Sequence, residues 1–249
     1  MASTDTPLGG AVADRPSRAA AVAVHFYTSL GSVLAFAMVI AAIDGRTTEV
    51  LWLILAAMVI DGTDGLLARR LRVKEATPGF DGALLDNIVD YLTYAFAPVV
   101  LLWVGGYLRG GAAGAVVAAL PLLASSYQFC RTDAKTDDHM FLGFPDYWNV
   151  LAFYIIVLGL SPTVSSVLLV VFSVLVFVPV RYVYPSRTAT LWHTNMAATA
   201  GWFVAYAVIV AQFPDPNPVV VALSLAYIVF YTVESLVLTL RARPGAATA

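Results

Sequence analysis

Ile60-Asp61-Gly62-Thr63-Asp64-Gly65-Leu66-Leu67-Ala68-Arg69 closes one long apolar run, and Gly82-Ala83-Leu84-Leu85-Asp86-Asn87-Ile88-Val89-Asp90 opens the next. Four aspartates therefore stand inside segments that otherwise read as lipid-soluble. An ionisable group in a membrane helix is costly and usually functional. The spacing sharpens the point. Asp61 and Asp64 are i, i+3, and Asp86 and Asp90 are i, i+4, so each pair shares a helix face. Both pairs lie at the same membrane end of two consecutive antiparallel spans. The two faces can meet and bring four carboxylates together.

The rest of the chain has the composition of a bilayer protein. Its 249 residues are 60% hydrophobic and only 12% charged, whereas soluble domains carry roughly 25% charged residues. So few charges cannot coat a water-exposed surface. Hydropathy predicts about eight transmembrane helices, near 20–43, 50–71, 84–104, 114–129, 147–159, 164–183, 195–213 and 219–240. The fold class is an all-α integral membrane protein with one catalytic domain over 20–241. A disordered cytoplasmic tail is expected over 1–19 and a short one over 242–249.

The charges set the orientation. Of 14 Lys and Arg residues, only Arg46 and Arg109 fall on one side of this topology. By the positive-inside rule both termini and the aspartates are cytoplasmic. The net charge of -2 argues against a nucleic-acid partner. The single cysteine, Cys130, excludes an internal disulfide and offers no metal-site spacing.

Four close carboxylates cannot all stay ionised without compensation. A divalent cation supplies it, and all-oxygen ligation suits Mg²⁺ or Mn²⁺ over zinc. Such ions bind phosphate oxygens, which points to a phosphoryl or phosphatidyl substrate. The small residues Gly62, Gly65, Ala68 and Gly82 leave room for a bulky group, and Arg69 can pair with a pyrophosphate at the mouth. Two other readings are open. Small residues serve helix packing in membranes, and a carboxylate path could carry protons or metal ions. A transport site belongs near the midplane, whereas these acids cluster toward one face.

The same residues carry a family resemblance. Asp61, Asp64, Gly65, Ala68 and Arg69, followed by Gly82, Asp86 and Asp90, fill every fixed position of D-x-x-D-G-x-x-A-R and G-x-x-x-D-x-x-x-D. This resembles the signature of the CDP-alcohol phosphotransferase family. The gap from Arg70 to Asp81 is longer than in most members. That gap and Gly62 resemble the bacterial branch whose alcohol is choline. So do His25-Phe26-Tyr27-Thr28 with Gly31, Val73-Lys74-Glu75, Lys135-Thr136-Asp137, Gly143-Phe144-Pro145, Trp148-Asn149 and Tyr184-Pro185 with Arg187.

The resemblance implies transfer of a phosphatidyl group from CDP-diacylglycerol to choline, with release of CMP. It implies two divalent ions per site, Mn²⁺ first and Mg²⁺ as the alternative. Asp61, Asp64 and Asp86 would hold one ion, and Asp61, Asp86 and Asp90 the other. Asp90 would also be the general base. Gly65, Ala68, Arg69 and Gly82 would line the CDP-diacylglycerol site, with Thr28 near the nucleotide. A bacterial inner membrane location and a homodimer are implied too, with no interface identified. A sister enzyme using serine, inositol phosphate or glycerol phosphate is the nearest alternative. An anionic alcohol needs a basic pocket, and few cations stand near the spans beyond Arg69, Arg131, Arg181 and Arg187.

Choline has no N–H to donate, so aromatic faces and carboxylates must hold it. The cytoplasmic half offers Tyr91, Tyr94, Tyr127, Phe129, Phe144, Tyr147, Trp148, Tyr182 and Tyr184. Tyr91 and Tyr94 follow Asp90 directly and rank first, and Trp148 comes next. Interface anchoring is the competing role for each.

Overall fold

The computed structural model describes residues 16–242. Most of the expected N-terminal tail, and all but the first residue of the C-terminal one, lie outside the described residues. Arg18 and Ala19 are already helical. Helix α1 (Arg18–Ile43) starts where the Ser17 hydroxyl accepts from Ala20 N at 3.3 Å. It turns at once into α2 (Thr47–Arg70), which ends on Arg69 and Arg70. Two cations in a last turn suit the negative end of the helix dipole.

The long gap after Arg69 holds a single turn of helix, α3 (Val73–Ala76), whose Val73 packs on Ala21 and Val24 of α1. Asp81 then caps α4 (Gly82–Asp90) by accepting from Leu84 N at 3.0 Å. A π-helical turn, Tyr91–Phe96, joins α4 to α5 (Ala97–Val104) as one continuous rod. Pro98 explains the turn: it has no N–H to give the Tyr94 carbonyl, so the helix widens just before it.

Next come α6 (Gly111–Cys130), α7 (Trp148–Val157), α8 (Pro162–Leu175), α9 (Trp192–Gln212) and α10 (Pro218–Arg241). Ser161 caps α8 and Asn217 caps α10, each with proline in the first turn. The protein is an all-α membrane protein, with six helices among the described residues long and apolar enough to cross a bilayer. The other two expected spans are shorter helices of 10 and 14 residues. At 1.5 Å per residue they reach about 15 and 21 Å, less than a bilayer core of about 30 Å.

The expected span 164–183 needs correction. Helix α8 stops at Leu175, and Arg181–Val183 forms a strand, β2, paired antiparallel with β1, Met140–Leu142. The apolar residues 176–180, which lead into the strand, give the same hydropathy signal as the end of a helix. The strand's outer edge would be orphaned near lipid, but α10 satisfies it. Arg181 N donates to Thr239 Oγ1 at 2.8 Å, and Val183 N donates to Ser235 Oγ at 3.1 Å.

Helix α1 packs against both α2 and the α4–α5 rod and sets their separation. Gly31 makes this possible. A Cβ there would stand 2.4 Å from Val89 Cγ1, one residue before Asp90. Gly31→Leu is therefore expected to force α4 away, lowering stability by about 1–3 kcal/mol and activity by more than the stability loss explains. Thermal unfolding and turnover of the same preparation check this; unchanged turnover would contradict it.

Candidate active site

The C-terminal half of α2 carries Asp61 and Asp64, and α4 carries Asp86 and Asp90. One carboxylate oxygen each from Asp61, Asp86 and Asp90 lie within 4.8 Å of one another, so this cluster can hold a metal ion. Every donor is a hard carboxylate oxygen, with no thiolate or imidazole. That set fits Mg²⁺ or Mn²⁺ better than zinc. Asp64 is only 4% exposed, and its Oδ2 accepts from the Thr28 hydroxyl at 2.7 Å. Asp61 Oδ2 accepts from the Tyr94 hydroxyl at 2.6 Å. Both hydroxyls orient a carboxylate that would otherwise be free to rotate. Lys135, from the loop after α6, is near enough for its charge to act on Asp61, Asp86 and Asp90.

Two cavities border these carboxylates, one at Asp64 and Asp86 and the other at Asp61. The first, of ≈ 810 Å³, is lined by Thr28, Asp64, Gly65, Ala68, Arg69, Gly82 and Asp86. All five residues expected around the nucleotide thus border one space. Its roof is the long α2–α4 connection. His25 holds that roof in place: Nε2 lies 3.0 Å from Thr77 Oγ1, and its ring sits 4.3 Å from that of Phe80. A Cβ on Gly82 would come within 2.9 Å of the His25 ring, so the close fit requires glycine.

The second cavity, of ≈ 460 Å³, has Asp61 in its wall and an aromatic lining of Tyr94, Tyr147, Tyr184, Trp202, Tyr227 and Tyr231. Tyr147 is central, with its ring centroid 6.2 Å from those of both Tyr94 and Tyr231. Among the described residues, no lysine or arginine lines this space.

Of the three aromatic residues singled out from sequence, only Tyr94 lines this chamber. Tyr91 borders a different groove with Asn87 and Phe129, and its hydroxyl points to Leu122 O at 3.5 Å. One helical residue rotates a side chain by about 100°, so Tyr91 does not follow Asp90 to the same face. Trp148 is 1% exposed and lines neither chamber. Its indole donates to Ser125 Oγ at 2.8 Å and Asp146 Oδ1 at 3.0 Å, which makes it a packing anchor. Burial pushes that Asp146 carboxyl up to about 6. Sequence reasoning missed Trp202, Tyr227 and Tyr231, which arrive from α9 and α10. Glu234 lies outside both chambers, its Oε1 accepting from Asn195 Nδ2 at 3.1 Å.

No protein-family model matches the chain. Curated relatives do match, over most of both lengths. The phosphatidylcholine synthase of Legionella pneumophila is 39% identical over 215 residues, covering 84% of this chain and 84% of that protein. That of Pseudomonas aeruginosa is 35% identical over 212 residues, covering 84% and 88%. That of Borreliella burgdorferi is 32% identical over 224 residues, covering 88% and 94%. This chain belongs to the phosphatidylcholine synthase family of enzymes.

Proposed function

We propose that the protein transfers the phosphatidyl group of CDP-diacylglycerol to choline and releases CMP, at the cytoplasmic face of a bacterial inner membrane. One observation carries this reading. A cleft lined by Arg69 and, among the described residues, an aromatic chamber lined by no lysine or arginine border the same carboxylate cluster, the cleft at Asp86 and the chamber at Asp61. The cleft suits an anionic nucleotide diphosphate. The chamber suits a quaternary ammonium, through cation–π contact and the nearby Asp61 carboxylate.

Asp61, Asp64, Asp86 and Asp90 would hold two divalent ions, Mn²⁺ by preference. Bound there, the ions would neutralise charge on the diphosphate and on the departing CMP. The chain's own groups do the rest. Gly65, Ala68 and Gly82 let the nucleotide approach the helix backbones, and Arg69 pairs with its phosphates. The choline hydroxyl oxygen forms a bond to the lipid-bearing phosphorus. The bond from that phosphorus to the oxygen shared with CMP breaks, and its electron pair leaves with CMP. The hydroxyl proton passes to Asp90. Tyr94 and Thr28 hold Asp61 and Asp64 in place by the hydrogen bonds described above.

The experiment is incorporation of labelled choline into chloroform-soluble lipid by purified protein supplied with CDP-diacylglycerol. Tyr147→Leu should raise the choline KM about 10-fold, the loss of one desolvated cation–π contact, with the CDP-diacylglycerol KM unmoved. A change confined to CDP-diacylglycerol would instead give the chamber to the lipid's acyl chains.

A further inference from the structure

One cation of the cytoplasmic loops is not absorbed by this account. Lys135 lies on the segment that leads into β1 of the two-stranded β1–β2 sheet. Its backbone is pinned, bridging to Phe141 while Leu142 N donates to Ala134 O at 2.9 Å and Thr136 N to Met140 O at 2.8 Å. The two-stranded sheet is tied again by the Arg181–Asp138 ion pair and by the Thr239 and Ser235 hydroxyls of α10. The Thr136 hydroxyl and Arg181 hold the Asp138 carboxyl below its usual range, so that link persists at neutral pH.

The placement of the ammonium is unusual. Its neighbours Arg131 and Arg181 take the nearby acids Asp133 and Asp138. Among the described residues, Lys135 itself makes no ion pair. Its Nζ lies 5.8 Å from the Phe141 ring and 5.7 Å from the Tyr184 ring instead. Tyr184 also lines the aromatic chamber. From there the charge acts on Asp61, Asp86 and Asp90 without touching them. A cation at that range is attracted to the bare carboxylates. Once two divalent ions neutralise the four carboxylates, that attraction is spent and the ammonium is left to meet an anion.

We propose that Lys135 is a second cationic contact for the transferred phosphate, reaching it from the side of the β1–β2 sheet while Arg69 serves the nucleotide cleft. This rests on the phosphatidyl-transfer reading above. Held on two aromatic faces, the ammonium can meet a phosphate bound at the carboxylates with little side-chain ordering. It supplies charge to the phosphoryl oxygens as the bond to CMP breaks.

The test compares wild type, Lys135→Met and Lys135→Arg in the same lipid nanodiscs. Methionine keeps an apolar stem on Phe141 and Tyr184, so folding is preserved. Lys135→Met should lose about 100-fold in kcat/KM for CDP-diacylglycerol, the loss seen for one preorganised electrostatic donor, with the choline KM unmoved. By calorimetry, its Mn²⁺-dependent affinity for CDP should fall about 10-fold. Its Mn²⁺ affinity without nucleotide, read by electron paramagnetic resonance, should hold or tighten. Lys135→Arg should recover most of the loss.

Wild-type CDP affinity and turnover in Lys135→Met would overturn the proposal. So would a defect confined to choline, or equal losses in both variants with a lowered Tm, which would mark a structural pin. If wild type transfers nothing to choline, the transfer reading fails separately, and the CDP affinities of wild type and Lys135→Met still decide the role of Lys135.

Discussion

Asp90→Asn should slow choline-dependent CMP release by about 10²–10⁴-fold, the usual contribution of a positioned general base. The substitution preserves size and removes only the ability to take a proton and a charge. Asp90 stands in the cluster with Asp61 and Asp86, its neighbours across α2 and α4. It is the member one residue from Val89, whose approach to Gly31 fixes the rod. The amide needs no rearrangement of that contact. Steady-state turnover in lipid, beside thermal unfolding without metal, checks the effect. A variant that keeps more than a tenth of wild-type turnover would remove Asp90 from the proton step.

Asp86→Asn separates stability from function in the opposite sense. Three carboxylate oxygens within 4.8 Å repel when ionised. Removing one should raise the Tm of the metal-free protein. Wild type should gain further stability on adding Mn²⁺, about 2.7 kcal/mol at a hundred times the dissociation constant. Asp86→Asn should lose that gain and lose turnover with it. A metal-dependent Tm rise as large as that of wild type would show that the ion binds elsewhere.

The carboxylate site was legible in sequence because its information is local. Spacings of three and four residues define a helix face, and the link from α2 to α4 is short enough to make them neighbours. The residues expected around the nucleotide, Thr28, Gly65, Ala68, Arg69 and Gly82, do border one cleft with Asp64 and Asp86. The aromatic chamber was not legible in the same way. Tyr94, Tyr147, Tyr184, Trp202 and Tyr231 come from five separate stretches of chain. No periodicity links residues that meet only through tertiary packing. Nearness in sequence misled in one case. Tyr91 adjoins Asp90 but turns to another face, while Tyr94, one turn on and inside the π-helical turn, reaches Asp61.

The two-stranded sheet was hidden for a different reason. Val176 to Val183 is as apolar as a span, and hydropathy has no term for the hydroxyls of Ser235 and Thr239 that let a strand edge exist there. The long Arg70–Asp81 gap stood out in the sequence by its length alone. Its use became clear from His25, which joins Thr77 and Phe80 to α1 and roofs the nucleotide cleft.

The most direct test of the central claim is CMP release from CDP-diacylglycerol by the purified protein in lipid, with Mn²⁺ and one alcohol at a time. The account predicts release that depends on choline, stops with a chelator, and is not supported by serine, inositol phosphate or glycerol phosphate. Release driven equally by an anionic alcohol, or none with choline from folded protein, would contradict it.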